Sequence, residues 1–277
     1  MPKWPWCAAG VLIPSSPMPR LLKEFGQHHL LQGEICRPLV EFLAPAGERV
    51  LEIGPGGGIL TAELLAAGAE VLAWEVDPAW AFTLRSRLPQ PALKVVIGDA
   101  LEIPWERRPA TRVAGNLPYN VATALIERAL QAPGVERCAF LVQLEVGERL
   151  IAKPGDSEYG SLSVLTRAWS EVRWLGRVKR GSFRPPPKVD GALLGFVVRQ
   201  PPVALEEMPQ FTRLVRLAFA QRRKTLRNAL AAGLGTAIAE ELIAAMGWPE
   251  KVRAESLGLD DFVALFGALT PGSERRV

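Results

Sequence analysis

The chain has 277 residues, of which 48 % are hydrophobic, and a formal net charge of +4. This length suits one large and one small domain, and the apolar content excludes a disordered chain. The slight basic excess weakly favours an anionic partner. The three cysteines, Cys7, Cys36 and Cys138, form no Cys-x-x-Cys pair, which argues against a disulfide scaffold or a zinc site. We expect neither a signal peptide nor the roughly 20-residue apolar run of a membrane span, and therefore a cytoplasmic protein.

Residues 1–24 are rich in proline and lack periodicity, which predicts a loose arm. Beyond them, short apolar runs alternate with helical patterns. The predicted helices are 32–43, 60–67, 80–88, 122–130, 145–152 and 161–169, and the predicted strands are 49–53, 70–76, 93–97, a run that begins at 112, 138–144, 171–178 and 192–199. This alternation is typical of an α/β domain with a mostly parallel sheet.

The last quarter of the chain has a purely helical pattern. After a linker at 200–202, the predicted helices are 211–232, 237–246 and 259–266. We therefore predict an α/β domain over 25–200 and a small helical domain over 203–277.

A glycine-rich turn, residues 52–58, begins with the last two residues of the strand at 49–53. Glycines at this place let the backbone approach a bound nucleoside closely and turn tightly into a helix. The next strand carries Glu75, 21 positions after Gly54, where a carboxylate can accept hydrogen bonds from ribose hydroxyls. Asp99 follows the third strand and could accept from an adenine amine. Three successive strand ends thus indicate a nucleoside site, although the glycines alone would fit any tight turn.

The turn does not follow the dinucleotide pattern Gly-x-Gly-x-x-Gly, because the pattern counted from Gly54 needs glycine at position 59, where the chain has Ile59 followed by Leu60. A pyrophosphate would also want basic help, whereas the turn carries the acid Glu52. A cofactor with a ribose and a positive centre but no phosphate fits better, and S-adenosylmethionine is that cofactor.

The strand that begins at 112 ends in Asn116-Leu117-Pro118-Tyr119. In an open α/β sheet, ligands bind at the carboxyl ends of the strands. The amide of Asn116 offers a neutral acceptor to an amine that must keep its lone pair, and Tyr119 offers a face for a flat base. The alternative is an ordinary turn, because these residue types are common in turns.

Together these segments resemble the ribosomal RNA adenine dimethyltransferases, and most of all the group that modifies the small subunit. The resemblance covers residues from about 20 to the end. The segments that carry it are Phe25-Gly26-Gln27-x-x-Leu30, Leu51-Glu52-Ile53-Gly54-Pro55-Gly56, Glu75-Val76-Asp77, Gly98-Asp99-Ala100, Asn116-Leu117-Pro118-Tyr119-Asn120, Phe183-Arg184-Pro185-Pro186-Pro187-Lys188-Val189-Asp190 and Ala220-Gln221-Arg222-Arg223-Lys224-Thr225-Leu226-Arg227-Asn228.

The resemblance implies a seven-stranded, Rossmann-like class I methyltransferase sheet with a small all-α C-terminal domain. The target would be two adjacent adenosines near the 3′ end of small-subunit rRNA, each methylated twice at N6 within a precursor of the 30S particle by a monomeric enzyme. The residues implied at the cofactor are His28, Leu30, Glu52, Gly54, Gly56, Glu75, Asp99, Ala100 and Asn116. His28-His29 replaces the family's usual Asn-Phe, so a cofactor contact by His28 competes with the alternative that both are histidines of a surface turn.

For the reaction, we expect the Asn116 side-chain oxygen and the Leu117 carbonyl to accept the two N6 protons, with Pro118 stiffening the turn. Positioning and electrostatics then suffice, and neither a metal nor a strong base is needed. Tyr119 and Phe183 would stack on the two faces of the flipped base. The alternative for Phe183 is a buried anchor for the proline-rich loop.

The predicted helix 211–232 carries six basic residues and no acid between 211 and 230. Such a run is usually a solvated face, but here we favour contact with rRNA phosphates. The predicted RNA-binding residues are Arg222, Arg223, Lys224 and Arg227. Three rivals remain: an antibiotic-resistance methyltransferase of large-subunit rRNA, a non-catalytic nucleic-acid-binding factor on the same fold, and a small-molecule or DNA adenine methyltransferase, which would leave the basic run unexplained.

Overall fold

A computed structural model describes residues 28–118, 120–221 and 223–269. The predicted arm at 1–24 therefore lies outside the described residues, and so do Tyr119 and Arg222. Within these ranges no helix is long and apolar enough to cross a membrane.

Strands and helices alternate along the first two thirds of the chain. The strands are β1 His29–Leu30, β2 Arg49–Ile53, β3 Glu70–Glu75, β4 Leu93–Ile97, β5 Arg112–Asn116, β6 Arg137–Gln143, β7 Ser170–Val178, β8 Phe183–Arg184 and β9 Gly191–Val198. The α-helices are α1 Arg37–Leu43, α2 Ile59–Ala66, α3 Pro78–Arg87, α4 Ala122–Gln131, α5 Leu144–Ile151, α6 Ser161–Trp169, α7 Met208–Ala218, α8 Leu226–Leu234, α9 Thr236–Ala245 and α10 Leu259–Leu269.

Seven strands form one sheet in the order β4-β3-β2-β5-β6-β9-β7, which confirms the predicted Rossmann-like class. The strands from β4 to β6 pair in parallel, and β9 runs antiparallel to both of its neighbours. From β2 the chain builds outward through β3 and β4, then returns to add β5 and β6 on the other side. The switch point therefore lies between β2 and β5, where open sheets of this kind bind ligands.

Both faces of the sheet are covered by helices, as the near-continuous apolar strands require. One apolar cluster joins Leu51 and Val113 to α4, and the other joins Val50 and Val71 to α1, α2 and α3. A third apolar cluster contains residues of α6 and of the four C-terminal helices α7, α8, α9 and α10. The C-terminal helices therefore share this core with α6. A separate two-stranded sheet pairs β1 with β8.

The predicted single helix at 211–232 is wrong, because two helices occupy this stretch. Helix α7 ends at Ala218, and α8 begins at Leu226 with Thr225 as its N-cap, whose hydroxyl accepts from Asn228 N at 3.4 Å. A threonine in extended conformation at this place satisfies an otherwise unpaired amide and starts a new helix. The basic residues Arg223 and Lys224 therefore lie between two helices, not within one.

Candidate active site

A cavity of about 240 Å³ lies at the carboxyl ends of the strands around the switch point. The predicted site residues that line it are His28, Leu30, Glu52, Gly54, Gly56, Glu75, Asp99, Ala100, Asn116, Leu117 and Pro118. Segments up to ninety residues apart in sequence thus meet in one place.

The glycine-rich turn after β2 forms the floor of this cavity. Gly54, Gly56 and Gly58 have positive φ angles of 65°, 47° and 82°, a region that favours glycine. The amide of Gly54 donates to Trp74 O at 2.9 Å, which ties the turn to β3. A Cβ on Gly56 would lie 2.5 Å from the His29 ring. The turn therefore needs glycine both for its conformation and for the space that His29 occupies.

Glu75 is held rigidly at the end of β3. Its two carboxylate oxygens accept from the backbone amides of Gly56 and Asp77, each at 3.0 Å, and the side chain is only 3 % exposed. Burial raises the pKa of this carboxyl, and the two amide hydrogen bonds oppose that shift. Each oxygen keeps a further lone pair that can accept from a ligand hydroxyl.

Glu52 is buried with an unsatisfied atom. The side chain is 1 % exposed, and its Oε2 has no hydrogen-bond partner among the described residues. Burial raises the pKa of Glu52 to about 8; hydrogen bonding with Thr61 opposes this shift, and the negative charge of Glu75 adds to it. An unpaired carboxylate at the wall of a cavity is costly unless a cation or donor reaches it. The site therefore suits a ligand that brings positive charge to Glu52.

Asp99 is exposed beyond the end of β4. Its Oδ1 accepts from Leu101 N at 2.8 Å, and its backbone carbonyl accepts from Trp74 Nε1 at 3.1 Å. One carboxylate oxygen thus fixes the side chain. The cavity wall is completed by the Trp74 indole, which no sequence motif marks as a site residue.

The Asn116 side chain has a defined orientation. Its Nδ2 donates to the backbone carbonyl of His28 at 2.7 Å. Because a carbonyl can only accept, the amide nitrogen must face His28, and Oδ1 is left as an acceptor on the other side. The neighbouring Leu117 amide donates to Leu141 O at 3.0 Å, which anchors the turn to β6.

The two histidines do not behave alike, and the alternative of two surface-turn histidines is wrong for His29. Its Nδ1 accepts from Gly57 N at 3.0 Å, and its ring centroid lies 4.3 Å from that of Trp80. Burial, with the neighbouring His28, lowers the pKa of His29 to about 4, so the ring is neutral at neutral pH. His28 instead bonds Pro185 O through Nδ1 at 2.8 Å.

Phe183 lies in the core. It is 4 % exposed, packs in the same apolar cluster as Leu30 and Leu193, and is not part of the cavity lining. The pairing of Leu30 with Phe183 between β1 and β8 draws it inward. This conformation matches the alternative of a buried anchor, and stacking on a base would require one face of the ring to become exposed.

The predicted RNA-binding residues divide into two groups. Arg223 and Lys224 are exposed between α7 and α8. Arg227 instead pairs with Glu240 of α9 at 2.8 Å. Arg216, another of the six basic residues of the predicted helix 211–232, lies 3.5 Å from Glu127 of α4. No acid lies near these basic residues in the sequence, but the fold places acidic side chains from other helices beside Arg216 and Arg227.

Comparisons with known proteins place the chain among enzymes that modify ribosomal RNA. The profile of the family described as "Ribosomal RNA adenine dimethylase" matches residues 19–270. A relative from Syntrophotalea carbinolica, named "Ribosomal RNA small subunit methyltransferase A", is 40 % identical over 257 residues, which are 90 % of this chain and 97 % of the relative. A relative of the same name from a Synechococcus species is 37 % identical over 270 residues, which are 94 % of this chain and 96 % of the relative.

Solved structures share the fold. A dimethyladenosine transferase from Plasmodium falciparum superposes with a TM-score of 0.72 at 23 % identity over 86 % of this chain and 96 % of that one. The 23S rRNA methyltransferase ErmE superposes with a TM-score of 0.67 at 26 % identity over 87 % of this chain and 98 % of that one.

Proposed function

The chain belongs to the ribosomal RNA adenine dimethylase family, and from this we propose that it methylates N6 of two adjacent adenosines near the 3′ end of small-subunit rRNA, twice each. The observation that carries the proposal is Asn116, whose Nδ2 donates to His28 O at 2.7 Å and leaves Oδ1 as a neutral acceptor beside the cavity. A base that presents an exocyclic amine satisfies such an acceptor.

The cavity residues fit S-adenosylmethionine, which supplies a methyl group made electrophilic by a positively charged sulfur. Glu75 would accept from the ribose hydroxyls, and Asp99 from the adenine amine. The buried, unsatisfied Oε2 of Glu52 suits the positive charge at the methionine end of the cofactor. Gly56, at which a Cβ would collide with the His29 ring, lets the turn keep its position at the cavity.

The target amine is a poor nucleophile, because its lone pair is delocalised into the adenine ring. With Asn116 Oδ1 and the Leu117 carbonyl each accepting one N6 proton, the nitrogen is held closer to tetrahedral and its lone pair is directed into the cavity. As the nitrogen forms its bond to the methyl carbon, the bond from that carbon to sulfur would break and its electron pair would stay on the sulfur, which becomes neutral. The nitrogen gains positive charge, which the two oxygens stabilise before a proton leaves to water. Neutral acceptors thereby catalyse by orientation and electrostatics.

The flipped base needs a stacking surface, because leaving the helix costs a few kcal/mol. We assign one face to Tyr119, where stacking contributes about 1–3 kcal/mol. Phe183 would cover the other face only after moving from the buried position that it occupies here. Because Phe183 pairs with Leu30 between β1 and β8, its assignment to the base depends on a local rearrangement of that pair.

The relatives' names favour the small subunit over the large one. Relatives named for the small subunit reach 40 % identity, whereas the 23S rRNA methyltransferase ErmE is 26 % identical. We further propose that the substrate is a precursor of the 30S particle, that the enzyme acts as a cytoplasmic monomer, and that the domain boundary lies near 200–202.

The test is transfer of labelled methyl groups to undermethylated small subunits and, in parallel, to large subunits, followed by mapping of the modified bases. We expect label only on the small subunits, on two adjacent adenosines as N6,N6-dimethyladenosine. Label on the large subunits alone would overturn the proposed substrate, and cofactor binding without transfer to either would indicate a non-catalytic factor.

A further inference from the structure

The connection between β7 and β9 carries a concentration of positive charge that has no role in the proposed cofactor site or in the proposed reaction. Over residues 179–190 it contains one acid, Asp190, and four basic side chains that are all exposed. These four residues, here called the basic loop cations, are Lys179, Arg180, Arg184 and Lys188.

The single acid does not cancel this charge: Asp190 forms its ion pair with Arg177, and of the four cations only Arg180 acts on its carboxylate electrostatically. Its Oδ1 accepts from the backbone amide of Arg180 at 2.9 Å, and its Oδ2 accepts from Arg177 Nε at 2.9 Å. These contacts, led by the Arg180 amide, lower the pKa of Asp190, which therefore stays ionised and balances Arg177. In the part of the chain that the structure describes, no acidic side chain lies within ion-pair distance of any of the four basic loop cations.

The strand register places this connection at the same edge of the sheet as the cavity. Val178, the last residue of β7, pairs with Gly191, the first of β9, and Gly191 pairs with Gln143 at the carboxyl end of β6. Asn116 pairs with Leu141 of the same strand. The connection that carries the basic loop cations therefore lies at the same edge of the sheet as Asn116, the proposed acceptor of the target amine.

Hydrogen bonds tie the loop to the site. His28 contacts Pro185 O through Nδ1 at 2.8 Å, and its own carbonyl accepts from Asn116 Nδ2 at 2.7 Å. Leu31 N donates to Ser182 O at 3.0 Å, which extends the pairing of β1 with β8. His28 therefore links the loop directly to Asn116. A phosphate bound to the loop would lie at a fixed distance from the Asn116 side chain.

We propose that the basic loop cations bind backbone phosphates of the rRNA on either side of the target adenosine. The inference rests on the proposed function, because a flipped adenosine that reaches Asn116 brings its neighbouring phosphates to this edge. Phosphate contacts fix the register of a nucleic acid without reading its sequence. The loop would thereby position the strand at the chemistry, while Arg223 and Lys224 bind elsewhere on the particle.

The test measures affinity for the undermethylated subunit that the wild-type enzyme methylates, between about 50 and 200 mM salt. The variants are Lys179→Ala, Lys188→Ala and a form with all four basic loop cations changed to alanine. Lys94→Ala is the matched control, because Lys94 is exposed near the start of β4, at the opposite edge of the sheet. The dissociation constant for S-adenosylmethionine is measured in parallel to show that each variant is folded.

Removal of one phosphate-binding cation should reduce the slope of log affinity against log salt by about 0.7–0.9. We therefore expect the slope to fall by nearly one unit in each single variant, by about three units in the fourfold variant, and not at all in Lys94→Ala, with cofactor affinity unchanged throughout. If the single variants bind cofactor normally and keep the wild-type slope, the inference is wrong even though the enzyme methylates its subunit. Failure of the wild-type enzyme to methylate either subunit would instead refute the proposed function, and the slopes measured on small subunits would still decide whether the loop binds RNA.

Discussion

The raised pKa of Glu52 leads us to expect that cofactor binding releases a proton. In the free protein the buried Glu52 carboxyl has a pKa of about 8, and its Oε2 has no partner among the described residues. The positive charge of S-adenosylmethionine favours the ionised form, so binding and deprotonation are linked. Raising the pH from 6 to 7 should therefore strengthen binding.

The size of the effect follows from the fraction of Glu52 that is already ionised. For a pKa of about 8 this fraction rises from about 1 % at pH 6 to about 9 % at pH 7, so the dissociation constant should fall about ninefold. The interval ends at pH 7 because the amine of the cofactor, with a pKa of about 8, stays protonated up to there.

Isothermal titration calorimetry measures both consequences. In two buffers of different ionisation enthalpy, the observed heats should report release of about one proton per cofactor bound. Glu52→Gln is the control, since it keeps the shape but cannot titrate, and its affinity should be weaker at pH 7 and nearly independent of pH. A wild-type dissociation constant that changes less than twofold between pH 6 and 7 would refute the reasoning.

Four other substitutions test the site. Asn116→Ala should reduce methyl transfer by about 10²–10³-fold in single-turnover assays while cofactor still binds, and near-full activity would remove Asn116 from the mechanism. Tyr119→Ala should remove about 1–3 kcal/mol of stacking free energy and slow methyl transfer accordingly, with cofactor affinity unchanged in a parallel titration. Gly56→Ala should destabilise the protein by at least about 1–2 kcal/mol in urea unfolding, because its φ of 47° is unfavourable for alanine and its Cβ would meet His29. On acidification the His29→Phe variant should lose less stability than wild type. The pKa of His29 is about 4 in the folded protein and about 6.5 in the unfolded chain, so the unfolded chain takes up the proton first. The contribution of His29 to the free energy of unfolding therefore falls by about 2 kcal/mol between pH 7 and pH 4.5. Equal losses in the two proteins would contradict this assignment.

The sheet was predictable because its signals are local. The strands β2 and β4 begin and end where the apolar runs at 49–53 and 93–97 do. The order of motifs at successive strand ends then predicted the cavity wall, since parallel strands bring their carboxyl ends to one edge. Gly54, Glu75 and Asn116 line that cavity.

The contacts that the sequence did not reveal are long-range. The bond from Gly57 to His29 joins residues 28 apart, and the pair Arg227–Glu240 joins two helices whose packing no periodicity specifies. The break in the predicted helix 211–232 did have a local signal. Thr225 is a good N-cap residue, but apolar residues at helical spacing on both sides of it, such as Leu217 and Leu226, masked that signal.

The two histidines that depart from the family pattern should differ in consequence. His28 meets Asn116 through its backbone carbonyl, which any residue at this position would supply. His29 meets Gly57 through its side chain, and a phenylalanine there could not accept that hydrogen bond. The change at His28 therefore leaves the acceptor geometry at the target amine intact. The change at His29 adds a contact to the glycine-rich turn that depends on the ring remaining neutral.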